Sequence, residues 1–169
     1  MSHLSVPVRR AMILALLAMA AGPSWARPSP DEVVISGAWV RATAPGQPVA
    51  AGYADFKAAE PMDIVGVESP VAGKGAELHE MKMDGGVMKM RSVPKIALPK
   101  GQTVRLAPGG IHVMLFGLGK TLSPGDTVPI TFVFQRKGGQ LTRQTVDVPV
   151  KEAPQARGGH EGHAGHDKH

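Results

Sequence analysis

The sequence predicts an all-β protein, built as an antiparallel sandwich or barrel. Three observations support this fold class. Short segments rich in β-branched residues recur along the chain, turns containing glycine and proline separate them, and no helical period is sustained after the first 26 residues. The predicted strands are Val33–Val40, Ala50–Lys57, Asp63–Ser69, Ala76–Met83, Val87–Ser92, Thr103–Leu106, Ile111–Phe116, Val128–Gln135 and Leu141–Val150.

Residues 1–26 have the parts of a secretory signal peptide. Arg9 and Arg10 supply the positive start, residues 11–21 form an apolar run, and Ser24-Trp25-Ala26 is a small-residue cleavage site before Arg27. The apolar run is shorter than the roughly 20 residues that span a bilayer. We therefore predict a periplasmic protein that does not span the membrane. The residues flanking the arginine pair match a twin-arginine signal poorly, which favours the general secretory route.

The rest of the chain is predicted to be one domain, residues 27–150, followed by a tail, residues 151–169. About 120 residues can bury a core of ordinary size. From Lys151 onward the composition changes, and no large apolar residue occurs. Such a segment cannot offset the entropy lost on ordering, so we expect it to be flexible.

The composition excludes several classes of function. The chain has no cysteine, so iron–sulfur clusters, cysteine-based zinc sites and the thiolate of a blue-copper electron carrier are ruled out. Its net charge of +5 is scattered and it has only seven aromatic residues, so nucleic acid is not the expected partner. No nucleophile elbow, phosphate loop or motif with paired carboxylates occurs, so we do not expect an enzyme.

The segment 78–91 combines a hairpin signal with an unusual set of side chains. Asp84-Gly85-Gly86 lies between two alternating runs, which is a strong hairpin pattern. With the turn at Gly85-Gly86, the potential metal-donor side chains of the hairpin share one face: His79, Met81, Met83, Met88 and Met90. His79 would lie diagonal to Met90, within reach of a long side chain.

A second strand carries the remaining donors. Ile111, Val113 and Leu115 alternate as a core-facing set, so His112 and Met114 present the opposite face. Thioether sulfur is a soft ligand and imidazole an intermediate one, and together they suit Cu(I). A single methionine is usually a core gap-filler, but the joint pattern of seven donors favours a metal site.

At these residues the sequence resembles the periplasmic CuA-type copper chaperones, the PCuAC family. The spacing His79-x10-Met90-x21-His112-x-Met114 matches the signature of that family at each interval. The likeness extends from Gly37-Ala38-Trp39 to the last strands and covers essentially the whole domain. It implies a cupredoxin-like Greek-key sandwich and a Cu(I) site near the surface made of those four residues. Met81 is displaced by one residue from a position where the family often has methionine, so it is treated as auxiliary, as are Met83 and Met88.

The tail carries four histidines at intervals of three residues. They are His160, His163, His166 and His169. Imidazoles without sulfur favour Cu(II), Ni(II) and Zn(II), and some members of the family carry similar extensions thought to capture Cu(II). The alternatives are a cloning tag, which would be contiguous, and a merely solvating tail. With no thiol in the chain, any reductant for Cu(II) must come from outside.

The function that these features predict is copper delivery. The resemblance implies a metallochaperone that passes Cu(I) to the CuA domain of a haem-copper oxidase subunit, or to another copper chaperone. The alternative is a periplasmic copper buffer or resistance protein, which needs the same ligands but no dedicated oxidase partner. We expect a monomer, with a metal-bridged dimer as the alternative state.

Overall fold

The computed structural model describes residues 32–153, all of whose regular structure is β. The strands are β1 (Val33–Arg41), β2 (Val49–Ala58), β3 (Met62–Glu68), β4 (Ala76–Asp84), β5 (Val87–Ser92), β6 (Ile96–Leu98), β7 (Thr103–Leu106), β8 (His112–Phe116), β9 (Thr127–Arg136) and β10 (Leu141–Lys151). Within the described range, no helix is long and apolar enough to cross a membrane. The predicted signal peptide and the four tail histidines lie outside the described residues.

The nine predicted strands are confirmed, each end within one residue of the prediction. The tenth, β6, was missed because three residues are too short to display an alternating pattern. It lies just after Pro94 and just before Pro99, and it buries Ile96 and Leu98. At the other end of the chain, β10 includes Lys151, the first residue of the predicted tail. Its carbonyl accepts a 2.9 Å hydrogen bond from the backbone of Ala42.

The strands follow the order β5-β4-β8-β2-β1-β10-β9-β3-β6, and β7 also pairs with β2. Neighbours are antiparallel except β1 and β10, which run parallel over two pairs of residues, Val40 with Val150 and Arg41 with Lys151. This short parallel junction joins one layer, formed by β1, β2, β4, β5, β7 and β8, to a second layer formed by β3, β6, β9 and β10. The site strands therefore lie together at one end of the order.

The two layers meet through an aromatic core. Phe56 of β2 packs edge-on against Phe132 of β9, with ring centroids 4.8 Å apart, and lies 6.3 Å from Phe134. All three rings are almost fully buried. Burial of side chains this large contributes about 1.5–3 kcal/mol each, so this cluster is a principal source of cohesion. The core fixes β2, the strand that supports β8.

The end of β8 is held by backbone hydrogen bonds to residues 74 and 75, which lie close to it. The carbonyl of Phe116 accepts a 3.0 Å hydrogen bond from Lys74, and its own N–H donates to Gly75 at 3.0 Å. Gly117 has a φ of 69°, and a Cβ there would lie 2.8 Å from the backbone nitrogen of Lys74. Only glycine fits this approach without displacement. These hydrogen bonds align β8 with the segment that leads into β4.

Candidate metal site

The β4–β5 hairpin closes with the predicted turn. Gly85 and Gly86 have φ values of 60° and 80°, which are the positive values that a two-residue type I′ turn requires at both positions. The register then pairs Met83 with Met88, Met81 with Met90 and His79 with Ser92. The predicted pairings are confirmed, and they place His79 diagonal to Met90.

Strand β8 lies on the other side of β4 and brings the second set of donors to the first. His79 is directly opposite His112, and Glu77 is directly opposite Met114. Residues directly opposite each other in antiparallel strands point to the same face. The two imidazole rings are 5.9 Å apart between centroids. The four residues of the predicted signature thus share one face of a three-stranded array.

Each histidine has one ring nitrogen engaged and one free. Nε2 of His79 lies 2.9 Å from a carboxylate oxygen of Glu77, and Nδ1 of His112 lies 3.0 Å from the carbonyl oxygen of Gly110. Both oxygens only accept, so those nitrogens carry the protons. In the neutral rings the lone pairs are therefore on Nδ1 of His79 and Nε2 of His112. Nδ1 of His79 is buried and, among the described residues, is the one buried side-chain polar atom without a hydrogen-bond partner.

The carbonyl of Gly110 connects the two strands. Besides the ring of His112, it accepts a 3.2 Å hydrogen bond from the backbone N–H of Met81. The turn that presents it contains Gly109, which has a φ of 79°. One oxygen therefore fixes both the tautomer of His112 and the position of β8 against β4.

The four predicted ligands lie at different depths below the protein surface. His112 is buried, whereas a position near the surface was expected. His112 is only 4% exposed, because it lies on β8 between two neighbouring strands and beside Tyr53, whose ring is 6.5 Å away. Trp39 in turn packs on Tyr53 at 4.5 Å. Met90 is 49% exposed. Met114 is half-buried and borders an open cavity of about 370 Å³ that Arg41 also lines.

Several residues of the site were missed by sequence reasoning. Glu77 and Gly110 orient the imidazoles, Tyr53 of β2 lies beside His112, and Trp39 of β1 packs on Tyr53. Glu77 had a detectable signal, since it is two residues from His79 and alternation places both on one face. The contact of Tyr53 with His112 depends on the pairing of β2 with β8, which no local pattern gives.

The pKa values of two ionisable groups at the site are shifted from their ordinary values. Hydrogen bonds from His79 and then Ser92 lower the pKa of Glu77 below its ordinary value. The carboxylate therefore keeps its charge at a pH below its ordinary range, and the small stabilisation from these bonds is lost as pH falls through the lowered pKa. Burial raises the pKa of Tyr53, against the opposing charge of Arg41, so the phenol stays neutral and protonated beside His112.

The donor set favours a soft metal ion. Within residues 32–153, no three or more histidine, aspartate and glutamate side chains come together in a way that could hold a metal. The additional donors beside the two imidazoles are thioethers, which Mg²⁺ and Ca²⁺ do not use and Cu(I) does. A buried imidazole nitrogen without a partner fits such an ion, because a metal would satisfy its lone pair.

Comparison with known families and proteins identifies relatives of the chain. The family described as LpqE-like, a lipoprotein family, matches residues 33–150. Lipoprotein Lxx21020 of Leifsonia xyli subsp. xyli is 33% identical over 123 residues, which cover 72% of this chain and 71% of that protein.

Solved PCuAC domains are similar in both fold and sequence. The copper-bound PCuAC domain from PmoF2 is 30% identical at a TM-score of 0.56, over 73% of this chain and 94% of that one. CuI-DR1885 from Deinococcus radiodurans is 32% identical at a TM-score of 0.53, over 79% and 86%. Its apo form is 29% identical at a TM-score of 0.55, over 90% and 97%. The resemblance to the PCuAC family and the cupredoxin-like fold are confirmed.

The hydrogen bonds of the two histidines generate a prediction about their tautomers. In the metal-free protein at neutral to mildly alkaline pH, we expect His79 to carry its proton on Nε2 and His112 on Nδ1. Long-range ¹H–¹⁵N correlation spectra of the imidazole rings distinguish these forms. Glu77→Leu should turn His79 into a mixture and leave His112 unchanged, whereas Glu80→Leu, on the opposite face, should change neither. Identical tautomers at both rings would contradict the assignment.

Proposed function

We propose that this chain, which belongs to the LpqE-like family and has a fold similar to that of PCuAC domains, is an exported copper metallochaperone. Copper is its cargo, held as Cu(I) by His79, Met90, His112 and Met114. Two similar proteins support the choice of metal, since one is a copper-bound PCuAC domain and the other is CuI-DR1885.

The observation that carries the proposal is the hydrogen bonding of the two imidazole rings. Metal-binding histidines almost always donate their second ring N–H to a carboxylate or a backbone carbonyl, which fixes the tautomer. His79 does this with Glu77, and His112 does it with Gly110. The rings are 5.9 Å apart and each keeps one lone pair free for copper. Within residues 32–153, no side chain hydrogen-bonds to the free ring nitrogen of His79.

The two thioethers supply the rest of the proposed coordination. Met90 is diagonal to His79 on β5, and Met114 is two residues from His112 on β8, so the four donors come from three adjacent strands. All four ligands are neutral. They should therefore hold Cu(I) less tightly than thiolates do, and they survive where thiolates would be oxidised. Both properties suit a protein that releases its metal in an oxidising compartment.

The exposure gradient suggests how copper would leave. Met90 is half exposed while His112 is buried, so an incoming ligand from a partner would replace the thioether of Met90 first. The imidazoles, held by Glu77 and Gly110, would release the ion last. The proposed recipient is the CuA domain of a haem-copper oxidase or another copper chaperone. A copper buffer would hold the same ligands without handing the ion on.

Substitution of one exposed ligand tests the proposed site. Met90→Leu removes one thioether and keeps the side chain apolar, and we expect Cu(I) affinity to fall at least about tenfold, equivalent to about 1.4 kcal/mol. Competition with a chromophoric Cu(I) chelator under anaerobic conditions measures it. Met62→Leu, the same change in the core on β3, is the matched control and should leave the affinity unchanged. Equal affinities for both variants would overturn the role of Met90.

The histidine tail is proposed to gather Cu(II), at His160, His163, His166 and His169. These residues lie outside the described range, so the proposal rests on their spacing and chemistry. The tail would collect oxidised copper, and an external reductant would convert it before the domain takes it as Cu(I).

Truncation separates the tail from the domain. A chain ending at Ala153 keeps every strand and should lose Cu(II) binding while retaining one tight equivalent of Cu(I). Isothermal titration with Cu(II), beside chelator competition with Cu(I), measures both on the same two proteins. Full retention of Cu(II) binding by the shortened chain would contradict the proposal that the tail binds Cu(II).

A further inference from the structure

The outer end of the β4–β5 hairpin carries methionines that the four-residue site does not use. Six large apolar side chains are exposed among the described residues, and four of them belong to this hairpin: Met83, Val87, Met88 and Met90. Met83 is 59% exposed and Met88 is 44% exposed. Neither packs against the hydrophobic core, so the usual role of methionine as a core gap-filler does not account for them.

The register brings these two thioethers as close as sheet geometry allows. With a two-residue turn, Asp84 and Val87 form the hydrogen-bonded pair that closes the hairpin. Hydrogen-bonded and non-hydrogen-bonded pairs alternate, so Met83 and Met88 form a non-hydrogen-bonded pair, with their Cα atoms about 4.5 Å apart. Met81 precedes Met83 by two residues, lies on the same face and is half-buried.

The charged side chains near the hairpin turn lie on its other face. Asp84 accepts a 3.0 Å hydrogen bond from Lys89 and a 2.6 Å hydrogen bond from Arg91. All three residues alternate with the methionines and point away from them. Within residues 76–92, no lysine or arginine therefore lies on the face that carries the thioethers, where it would repel a metal ion.

We propose that Met83 and Met88, with Met81, form a second Cu(I) site made of thioethers alone. The inference rests on the proposed function and adds a docking position for the cargo. Thioethers select Cu(I) among the common metal ions. Without an imidazole and with most of its surface in solvent, this outer site binds Cu(I) more weakly than the site containing His79.

The outer site lies next to the inner one on the same ladder. Met81 is directly opposite Met90, so one cross-strand pair contains a ligand from each of the two sets. Copper moves between them by ligand exchange: the new Cu–S bond to Met90 replaces one bond to an outer thioether, and new bonds to the imidazoles and Met114 replace the others. The ion stays Cu(I) throughout and no electron is transferred. The hairpin tip thus serves as the position at which copper arrives from, or departs to, a partner.

The test follows each methionine methyl group by NMR. The full chain, labelled with [ε-¹³C]methionine, is titrated anaerobically with Cu(I) supplied as its acetonitrile complex. Single leucine substitutions assign the signals. The first equivalent should shift Met90 and Met114, and the second should shift Met83 and Met88. Met62, in the core on β3, is the internal reference. The tail contains no methionine, so copper bound there leaves these signals unchanged.

A double variant gives a second readout. Met83→Leu with Met88→Leu should abolish the second set of shifts and leave the affinity of the first equivalent within twofold of the parent chain. Both residues are exposed, so folding is not at issue. Shifts at Met90 and Met114 with none at Met83 and Met88, once Cu(I) is in excess over the tail histidines, would overturn the outer site alone. Absence of shifts at Met90 and Met114 as well would overturn the proposed function.

Discussion

The register of the β4–β5 hairpin is the constraint on which the candidate site depends. Side chains alternate along a strand, so a slip of one residue would turn His79 and the hairpin methionines to the opposite face. The turn at Gly85-Gly86 prevents this, because its two positive φ values are strongly disfavoured for other residues. The pairing of β4 with β8 then transmits the register to His112 and Met114. Two glycines thus determine which donors can meet.

Orientation of the imidazoles is the second requirement, and it is met differently on the two strands. Glu77 engages Nε2 of His79 from its own strand, whereas the carbonyl of Gly110 engages Nδ1 of His112 from a turn. The free ring nitrogen is therefore Nδ1 in His79 and Nε2 in His112. The resulting set of neutral donors is ordered by depth, from buried His112 to exposed Met90. Among these candidate ligands, the imidazoles are held in place by hydrogen bonds and Met90 is accessible to solvent.

Local patterns in the sequence were sufficient for most of the fold and for the residue pairing of the β4–β5 hairpin. Alternation and turn residues located nine strands, and Asp84-Gly85-Gly86 gave the methionine pairs of the hairpin. What they could not give depends on contacts between distant segments. The burial of His112 beside Tyr53 follows from the pairing of β8 with β2, and the short strand β6 exists because it pairs with β3. The joining of the hairpin to β8 was implied by the family resemblance rather than by the pattern itself.

Transfer of copper to a partner tests the central claim of a metallochaperone most directly. The chain loaded with one equivalent of Cu(I) would be mixed anaerobically with a metal-free CuA domain, separated from it by size or charge, and both fractions analysed for copper. The account predicts that copper appears in the CuA domain within the time of mixing and leaves the chain in equal amount. Copper that stays on the chain in the presence of excess CuA domain would contradict delivery and leave a copper buffer as the function.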